Sequence, residues 1–351
     1  MKKIFKHLSI MFIVIILLFS TTSFATDTND NIENSEKKSE LNLYGKSCIL
    51  IEKSTGRIAY EKNAEERMYP ASTTKILTAI LAVEKCNMSD VVTINNDMVS
   101  QVPPSYTTAY LTPGEKITVE QLLNCLLIPS ANDAGFALAI HISGSVEAFS
   151  NLMNEKAREI GCQNSNFVNP SGIHNENHYS TAKDMALIGL YATRYPQIMD
   201  IVCKTNYDLQ PSNSSSRSFY TTNTLLKPDS STYYEYATGM KTGFTDPAGA
   251  CIIASAKKDN MEFIAVVLNA PESDSNTNYR DLDCKTLFEY GFTNFDEITK
   301  IDPKIISFIN NSFISGIKID MVLKVGVALI SAYLLFAIIY SKKKIKIECK
   351  N

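Results

Sequence analysis

Strand-like segments stand at both ends of the central body of this chain, and helical segments fill the stretch between. Ser47 to Ile51 and Arg57 to Tyr60 read as strands joined through the turn residues Lys53-Ser54-Thr55-Gly56. Far downstream, Cys251 to Ala256 and Phe263 to Leu268 read as two more, connected at Lys257 to Asn260, and Lys241-Thr242-Gly243 falls in a strand-like region before them. Edges this far apart in sequence must meet in one layer if their apolar faces are to be covered. The pattern predicts an α+β domain: a central antiparallel sheet that joins N- and C-terminal segments, with a helical region inserted.

The inserted helices follow from apolar spacing. Ser72 to Cys86 carries Ile76, Leu77, Ile80, Leu81 and Val83, an apolar face broad enough to be buried. Val119 to Leu127 has the stripe Leu122, Leu123, Leu126 and Leu127. Pro129 closes it, so Ser130 to Asn132 should lie on the turn that follows. Ser145 to Ile160, Thr181 to Arg194 and a terminal Leu282 to Tyr290 read as further helices.

The two ends predict a membrane topology. Lys2, Lys3 and Lys6 precede an apolar run from Leu8 to Phe19, and Ser23-Phe24-Ala25 supplies the small residues of a cleavage site, the pattern of a secretory signal. An uncleaved N-terminal anchor is the alternative, disfavoured by the short run. Met321 to Tyr340 is apolar over twenty residues, enough to cross about 30 Å of hydrocarbon as a helix. The lysines at 342–344 and Lys346 favour a cytoplasmic tail. Thr26 to Leu41 is too polar to order itself. The expected organisation is a signal peptide over 1–25, a polar linker over 26–44 and one catalytic domain over 45–295. A stalk over 296–320, a transmembrane helix over 321–340 and a basic tail over 341–351 complete it. The body would lie outside the cytoplasm on a single C-terminal anchor at the cell membrane.

A formal net charge of −3 gives no sign of nucleic-acid binding. The chain has eight cysteines, but none forms C-x-x-C, and Cys48, Cys125 and Cys251 sit in apolar runs as small core residues. With Cys349 in the tail an odd seven remain outside, so a disulfide framework is not expected. No cofactor or metal is expected, because the four His are scattered; His174 and His178 flank a loop-like Asn175-Glu176-Asn177.

Three motifs occur in a fixed order: Ser72-Thr73-Thr74-Lys75, Ser130-Ala131-Asn132 and Lys241-Thr242-Gly243. Alone, S-x-x-K means little, for five more matches begin at Ser35, Ser180, Ser255, Ser315 and Ser341. The order and the wide spacing carry the information. Together the motifs supply a serine nucleophile, a lysine one helical turn away, hydroxyl and amine groups to relay protons, and a Gly-containing strand that can lie against a substrate backbone. This is the motif set of penicillin-binding proteins and class A β-lactamases.

Tyr69-Pro70-Ala71-Ser72-Thr73-Thr74-Lys75, Ser130-Ala131-Asn132-Asp133-Ala134, Asn169-Pro170-Ser171-Gly172-Ile173, His178-Tyr179-Ser180-Thr181-Ala182 and Gly239-Met240-Lys241-Thr242-Gly243-Phe244-Thr245 closely resemble the low-molecular-mass D-alanyl-D-alanine carboxypeptidases. The resemblance runs from about Ser47 to Phe295 and implies a β-lactamase/D,D-peptidase-like fold. It implies an enzyme that cuts the terminal D-alanine from peptidoglycan stem pentapeptides ending in D-Ala-D-Ala and is acylated by β-lactam antibiotics. In that reading Ser72 attacks the penultimate carbonyl and a neutral Lys75 is its base. Ser130 passes a proton to the departing amine, and Asn132 orients Lys75 and the substrate amide. Ser72 and Phe244 offer backbone N–H groups to the oxyanion, and Lys241 and Thr242 bind the terminal carboxylate beside Gly243. Some relatives carry Arg where this chain has Thr222. Ser171, Gly172 and His178 read as loop architecture.

Three rival readings stay open. A D,D-endopeptidase acting on cross-links would use the same acylation. A class A-like β-lactamase would need a Glu-activated water, and the segment that should carry it reads Ser165-Asn166-Phe167-Val168-Asn169, with no acid. A non-catalytic β-lactam-binding sensor would tolerate losses from the motif set, which here is complete.

Overall fold

In a computed structural model of the protein, the described residues are 41–211, 213–273 and 277–295. The expected signal peptide, most of the linker, the stalk, the transmembrane helix and the tail lie outside them. No helix among the described residues is long and apolar enough to cross a membrane.

Five strands form the central sheet: β1 (Ser47–Glu52), β2 (Ile58–Lys62), β3 (Ala237–Thr245), β4 (Gly249–Lys258) and β5 (Met261–Ala270), in the order β2-β1-β5-β4-β3. Every neighbouring pair is antiparallel, and β1 lies against β5 with Ser47 opposite Leu268 and Glu52 opposite Phe263. The two ends of the body thus share one sheet, as the sequence predicts.

Six longer helices are α1 (Lys75–Lys85), α2 (Val119–Leu127), α3 (Asn132–Ser143), α4 (Val146–Ile160), α5 (Ala182–Ala192) and α6 (Tyr279–Asn294). All six residues of β1 are buried, because helices cover both faces of the sheet. Glycines allow the approach. A Cβ on Gly189 of α5 would lie 3.3 Å from Ile264 Cγ2, whereas one on Gly291 of α6 would lie 3.1 Å from Phe263 Cζ. Residues 263 and 264 point to opposite faces of β5, so α5 and α6 flank it.

Several boundaries come from caps. Thr118 and Gln121 form a reciprocal capping box on α2, with Gln121 N–H donating to Thr118 Oγ1 at 3.1 Å and Thr118 N–H to Gln121 Oε1 at 2.8 Å. Ser145 and Thr181, expected as the first residues of helices, are instead the N-caps of α4 and α5. α3 has no signature in the sequence. Its residues from Asn132 to Ala139 are all buried, so it shows no polar–apolar stripe to betray its period. α1 packs against α2, α3, α4 and α5 and is the centre of the helical region.

The N-terminal edge is tied down by α6. Asp283 accepts from Tyr44 N–H at 3.0 Å and from Gly45 N–H at 2.7 Å, and Leu43 is buried beside them. Removing the carboxylate leaves two donors without their partner, so Asp283→Ala should destabilise the domain by about 2 kcal/mol or more, with Asp283→Asn milder. Urea unfolding of the three proteins measures this difference.

Candidate active site

The segment carrying the first motif enters the site through strained backbone. Ala71 has φ of +47°, left-handed for a residue with a side chain. Residues Ala71–Thr74 form a 3-10 turn, secured by Thr73 Oγ1 donating to Pro70 O at 2.6 Å, and α1 proper starts only at Lys75. An α-helix was expected to begin at Ser72. The tighter turn serves the site better, since residues three apart eclipse in a 3-10 geometry. Lys75 Nζ lies 2.7 Å from Ser72 Oγ.

Lys75 is completely buried, and its two other contacts are to carbonyl oxygens: Asn132 Oδ1 at 2.8 Å and Ser171 O at 2.8 Å. Those oxygens can only accept, so they take two N–H groups of the amine. In a neutral amine the remaining position is the lone pair, and it faces Ser72 Oγ. Burial holds the Lys75 amine well below its ordinary value, and the positive charge of Lys241 pushes the same way.

The second motif is held on a second left-handed residue, Ser130, with φ of +71°. Ala131 N–H donates to Cys125 O at 3.0 Å and Asn132 N–H to Thr107 O at 2.9 Å, which pins the turn between α2 and α3. Ser130 faces the cleft and makes no side-chain hydrogen bond to another described residue. Asn132 starts α3, and its Nδ2 donates to Thr107 O at 2.8 Å, which orients its Oδ1 toward Lys75.

The third motif lies on β3, the edge strand. A bulge near its start carries Gly239 and Met240 at positive φ. A Cβ on Gly243 would lie 2.8 Å from Ser72 N, so only glycine lets the strand pass this close to the nucleophile turn. Lys241 is buried, its Nζ donates to Thr242 O at 2.8 Å, and burial lowers it to about 7, helped by the charge of Arg280. Thr242 Oγ1 meets Thr222 Oγ1 at 2.5 Å, and Phe244 is 40% exposed on the rim. Ser72, Ser130, Asn132, Thr242, Gly243 and Phe244 line one cleft of about 570 Å³. Lys75 and Lys241 lie beneath its floor.

Arg280 also lines the cleft, and sequence reasoning missed it. Its Nη1 donates to Gly243 O at 2.9 Å, and Nε lies 3.5 Å from Asp281 Oδ1, an ion-pair contact without hydrogen-bond geometry. No motif surrounds it. The only signal is its place at the start of the terminal helix, which begins three residues earlier than expected.

The loop residues Asn169 to Ile173 and His178 build the floor, and of them Ser171 reaches the Lys75 amine through its carbonyl oxygen. Asn169 Oδ1 accepts from Ser171, Gly172 and Ile173 N–H, and Thr78 Oγ1 donates to Pro170 O at 2.6 Å. A Cβ on Gly172, at φ +77°, would fall 1.7 Å from Ala71 O. His178 is buried, with Nε2 2.9 Å from Thr74 Oγ1 and Nδ1 accepting from Val168 N–H at 3.2 Å. Accepting at Nδ1 fixes the tautomer with its proton on Nε2. The seven described cysteines are free.

Burial lowers His178 from 6.5 to about 3, so the folded protein keeps it neutral where the unfolded chain takes up a proton. The unfolded state then binds more protons below pH 6.5, and stability must fall as the pH drops from there toward 3. Chemical unfolding across that range should show a slope smaller by up to one proton in His178→Gln than in the wild type.

Known proteins resemble this chain in sequence and fold. Residues 33–272 match the sequence profile of the Peptidase S11, D-alanyl-D-alanine carboxypeptidase, family. The chain is 37% identical over 288 residues to D-alanyl-D-alanine carboxypeptidase DacF of Bacillus subtilis, a match covering 81% of this chain and 69% of that one. It is 30% identical over 297 residues to DacC of Escherichia coli, covering 82% and 69%. Among solved structures, the Streptomyces K15 DD-transpeptidase superposes with a TM-score of 0.67 at 29% identity, over 73% of this chain and 99% of that one. Penicillin binding protein 5 from Haemophilus influenzae gives 0.66 at 31%, over 74% and 73%. The fold, the order of the motifs and these matches agree, and the chain belongs to the D-alanyl-D-alanine carboxypeptidase family of serine peptidases.

Proposed function

We propose that this chain removes the terminal D-alanine from peptidoglycan stem pentapeptides through an acyl-enzyme on Ser72. The observation that carries the assignment is the buried Lys75 amine, 2.7 Å from Ser72 Oγ and fixed by two carbonyl oxygens. Neutral Lys75 accepts the Ser72 proton as Oγ attacks the penultimate carbonyl carbon. Backbone N–H groups of Ser72 and Phe244 receive the oxyanion. Lys241, near 7, can hold or yield a proton at working pH, and Ser130 relays one to the departing amine. The terminal carboxylate meets Thr242, Thr222 and Arg280; the guanidinium supplies positive charge in a cleft where residue 222 is not Arg. Water then releases the peptide, with Lys75 again as base. A β-lactam enters the same step and stays bound as an acyl-enzyme.

Incubation of the full chain with a stem pentapeptide should release free D-alanine, and penicillin should label Ser72 once per molecule. Rapid turnover of penicillin would favour a β-lactamase instead, and release from cross-linked dimers without pentapeptide activity would favour an endopeptidase. Lys75→Arg keeps the charge but cannot give up its proton, so acylation should fall by about a hundredfold or more. In the wild type acylation should slow as pH drops through the lowered Lys75 value, because the proton occupies the lone pair. Intact-mass kinetics on the wild type, Lys75→Arg and Ser72→Ala measure all of this.

We also propose export and a single C-terminal anchor over residues 321–340, with the tail inside. The supports are the twenty-residue apolar run and the lysines that follow it. Truncation after Asp302 should give a penicillin-binding protein that leaves the membrane fraction. A cut before Leu282 removes most of α6, whose Asp283 ties down the N-terminal edge, and should destabilise the domain. Fractionation and penicillin labelling of both truncations give the answer.

A further inference from the structure

The helices that start at the active site also share their far ends. α1 begins at Lys75 and α3 at Asn132, whose side chains are hydrogen-bonded. At the other end, Cys86 is the C-cap of α1, His141 lies in the last turn of α3, and Asp90 lies on the turn that follows α1. The Cys86 thiol, an Asp90 carboxylate oxygen and a His141 ring nitrogen lie within 4.8 Å of one another. We propose that Cys86, Asp90 and His141 form a three-ligand site for a zinc-type divalent cation.

The ligand set has the right chemistry. Thiolate, imidazole and carboxylate are the donors that zinc takes, and three protein ligands leave a fourth tetrahedral position for water. Thiolate and carboxylate together balance a divalent charge. Ligand atoms around such an ion stand roughly 3.3–3.8 Å apart for bonds of about 2.0–2.3 Å. His141 is exposed and Cys86 half-buried, so both side chains have room to turn toward a shared ion from the present spacing of up to 4.8 Å.

The scaffold is held rigidly. Asp90 N–H donates to Asn87 O at 3.1 Å, and the Asp90 carboxylate accepts from Asn87 N–H at 2.8 Å and from Asn87 Nδ2 at 3.3 Å. Those bonds aim the carboxylate and leave lone pairs on both oxygens, as an outer shell does for a metal ligand. The turn itself is pinned to the start of α2, with Val119 N–H donating to Asp90 O and Glu120 N–H to Met88 O, both at 3.0 Å. The C-terminal ends of α1 and α3 both approach the cluster, and each contributes partial negative charge that favours a cation. In sequence the histidines looked scattered, but α3 carries His141 to the end of α1. Eleven residues of α1 separate the site from Ser72 by about 16 Å, so the ion would clip two helices together and take no part in acyl transfer.

Cobalt(II) added to the reduced, purified full-length chain tests this. One equivalent should produce a thiolate-to-cobalt charge-transfer band and the visible bands of a tetrahedral site, and zinc should displace both. Cys86→Ser should lose the charge-transfer band, and His141→Ala and Asp90→Asn should weaken zinc by about tenfold or more in competition titrations. Cys203→Ser, which alters an exposed thiol elsewhere, should leave the spectrum unchanged. Penicillin labelling of Ser72 in each variant reports that the fold is intact. Zinc should raise the unfolding midpoint of the wild type but not of His141→Ala. The proposal is overturned if no thiolate band appears at saturating cobalt, if the band survives Cys86→Ser, or if His141→Ala binds zinc as tightly as the wild type.

Discussion

The burial of Lys75 is the constraint on which the rest of the site depends. An ammonium in this interior would lose its hydration and feel Lys241 as well, so the amine is driven toward its neutral form. For the proposed base role, neutrality is useful only if the lone pair points at Ser72 Oγ. Two carbonyl oxygens ensure that, one from Asn132 on α3 and one from Ser171 in the loop after α4. These partners are 57 and 96 residues away from Lys75 in sequence. The setting of the Lys75 amine is therefore a product of the finished tertiary structure as well as of the local motif.

Each of the three motifs begins at or just after a strained, left-handed residue. Ala71 precedes Ser72, Ser130 opens the second motif and Met240 precedes Lys241, and all three have positive φ despite carrying side chains. Each such residue costs of order 1 kcal/mol or more and persists only where the surroundings over-determine it. The surroundings are visible in each case. Gly172 presses on the Ala71 carbonyl, the bonds of Ala131 and Asn132 hold the Ser130 turn, and the bulge opposite Ser255 turns Met240. Sharp turns let three separate segments aim a polar side chain at one point without lengthening the loops that carry them.

How much of this was legible in the sequence depended on whether a residue's role is local. The strands of the sheet, α1, α2 and the three motifs were readable, because periodicity, turn chemistry and order are properties of short segments. α3 was not readable, since burial on every side erases the stripe that marks a surface helix. The 3-10 turn at Ser72 escaped for a related reason: one tight turn leading into a helix shares its apolar period. Arg280 belongs to the cleft only because α6 returns to β3, and it donates across 37 positions to Gly243 O. Nothing in the residues around it announces that contact. His178 has the opposite lesson. A histidine near an active site invites a catalytic role, but its ring bonds point at Thr74 and Val168, and burial keeps it neutral.

The polarity of α1 and α3 connects the two ends of the helical region. Both helices start at the active site, so their positive ends face the Lys75 amine, whose side chain leans back toward the helix start as helical side chains do. That field opposes the ammonium form and adds to burial and to Lys241. It would also favour the negative charge that the proposed acylation develops beside Ser72. By the same geometry the negative ends of the two helices lie at Cys86 and His141, where a thiol, a carboxylate and an imidazole gather. One parallel pair thus disfavours a cation where the chemistry needs a neutral amine and favours one where the helices finish. A cation held there would fix how far apart the pair can splay. The separation of Lys75 and Asn132 at the other end would then be constrained by contacts that never touch the reacting atoms.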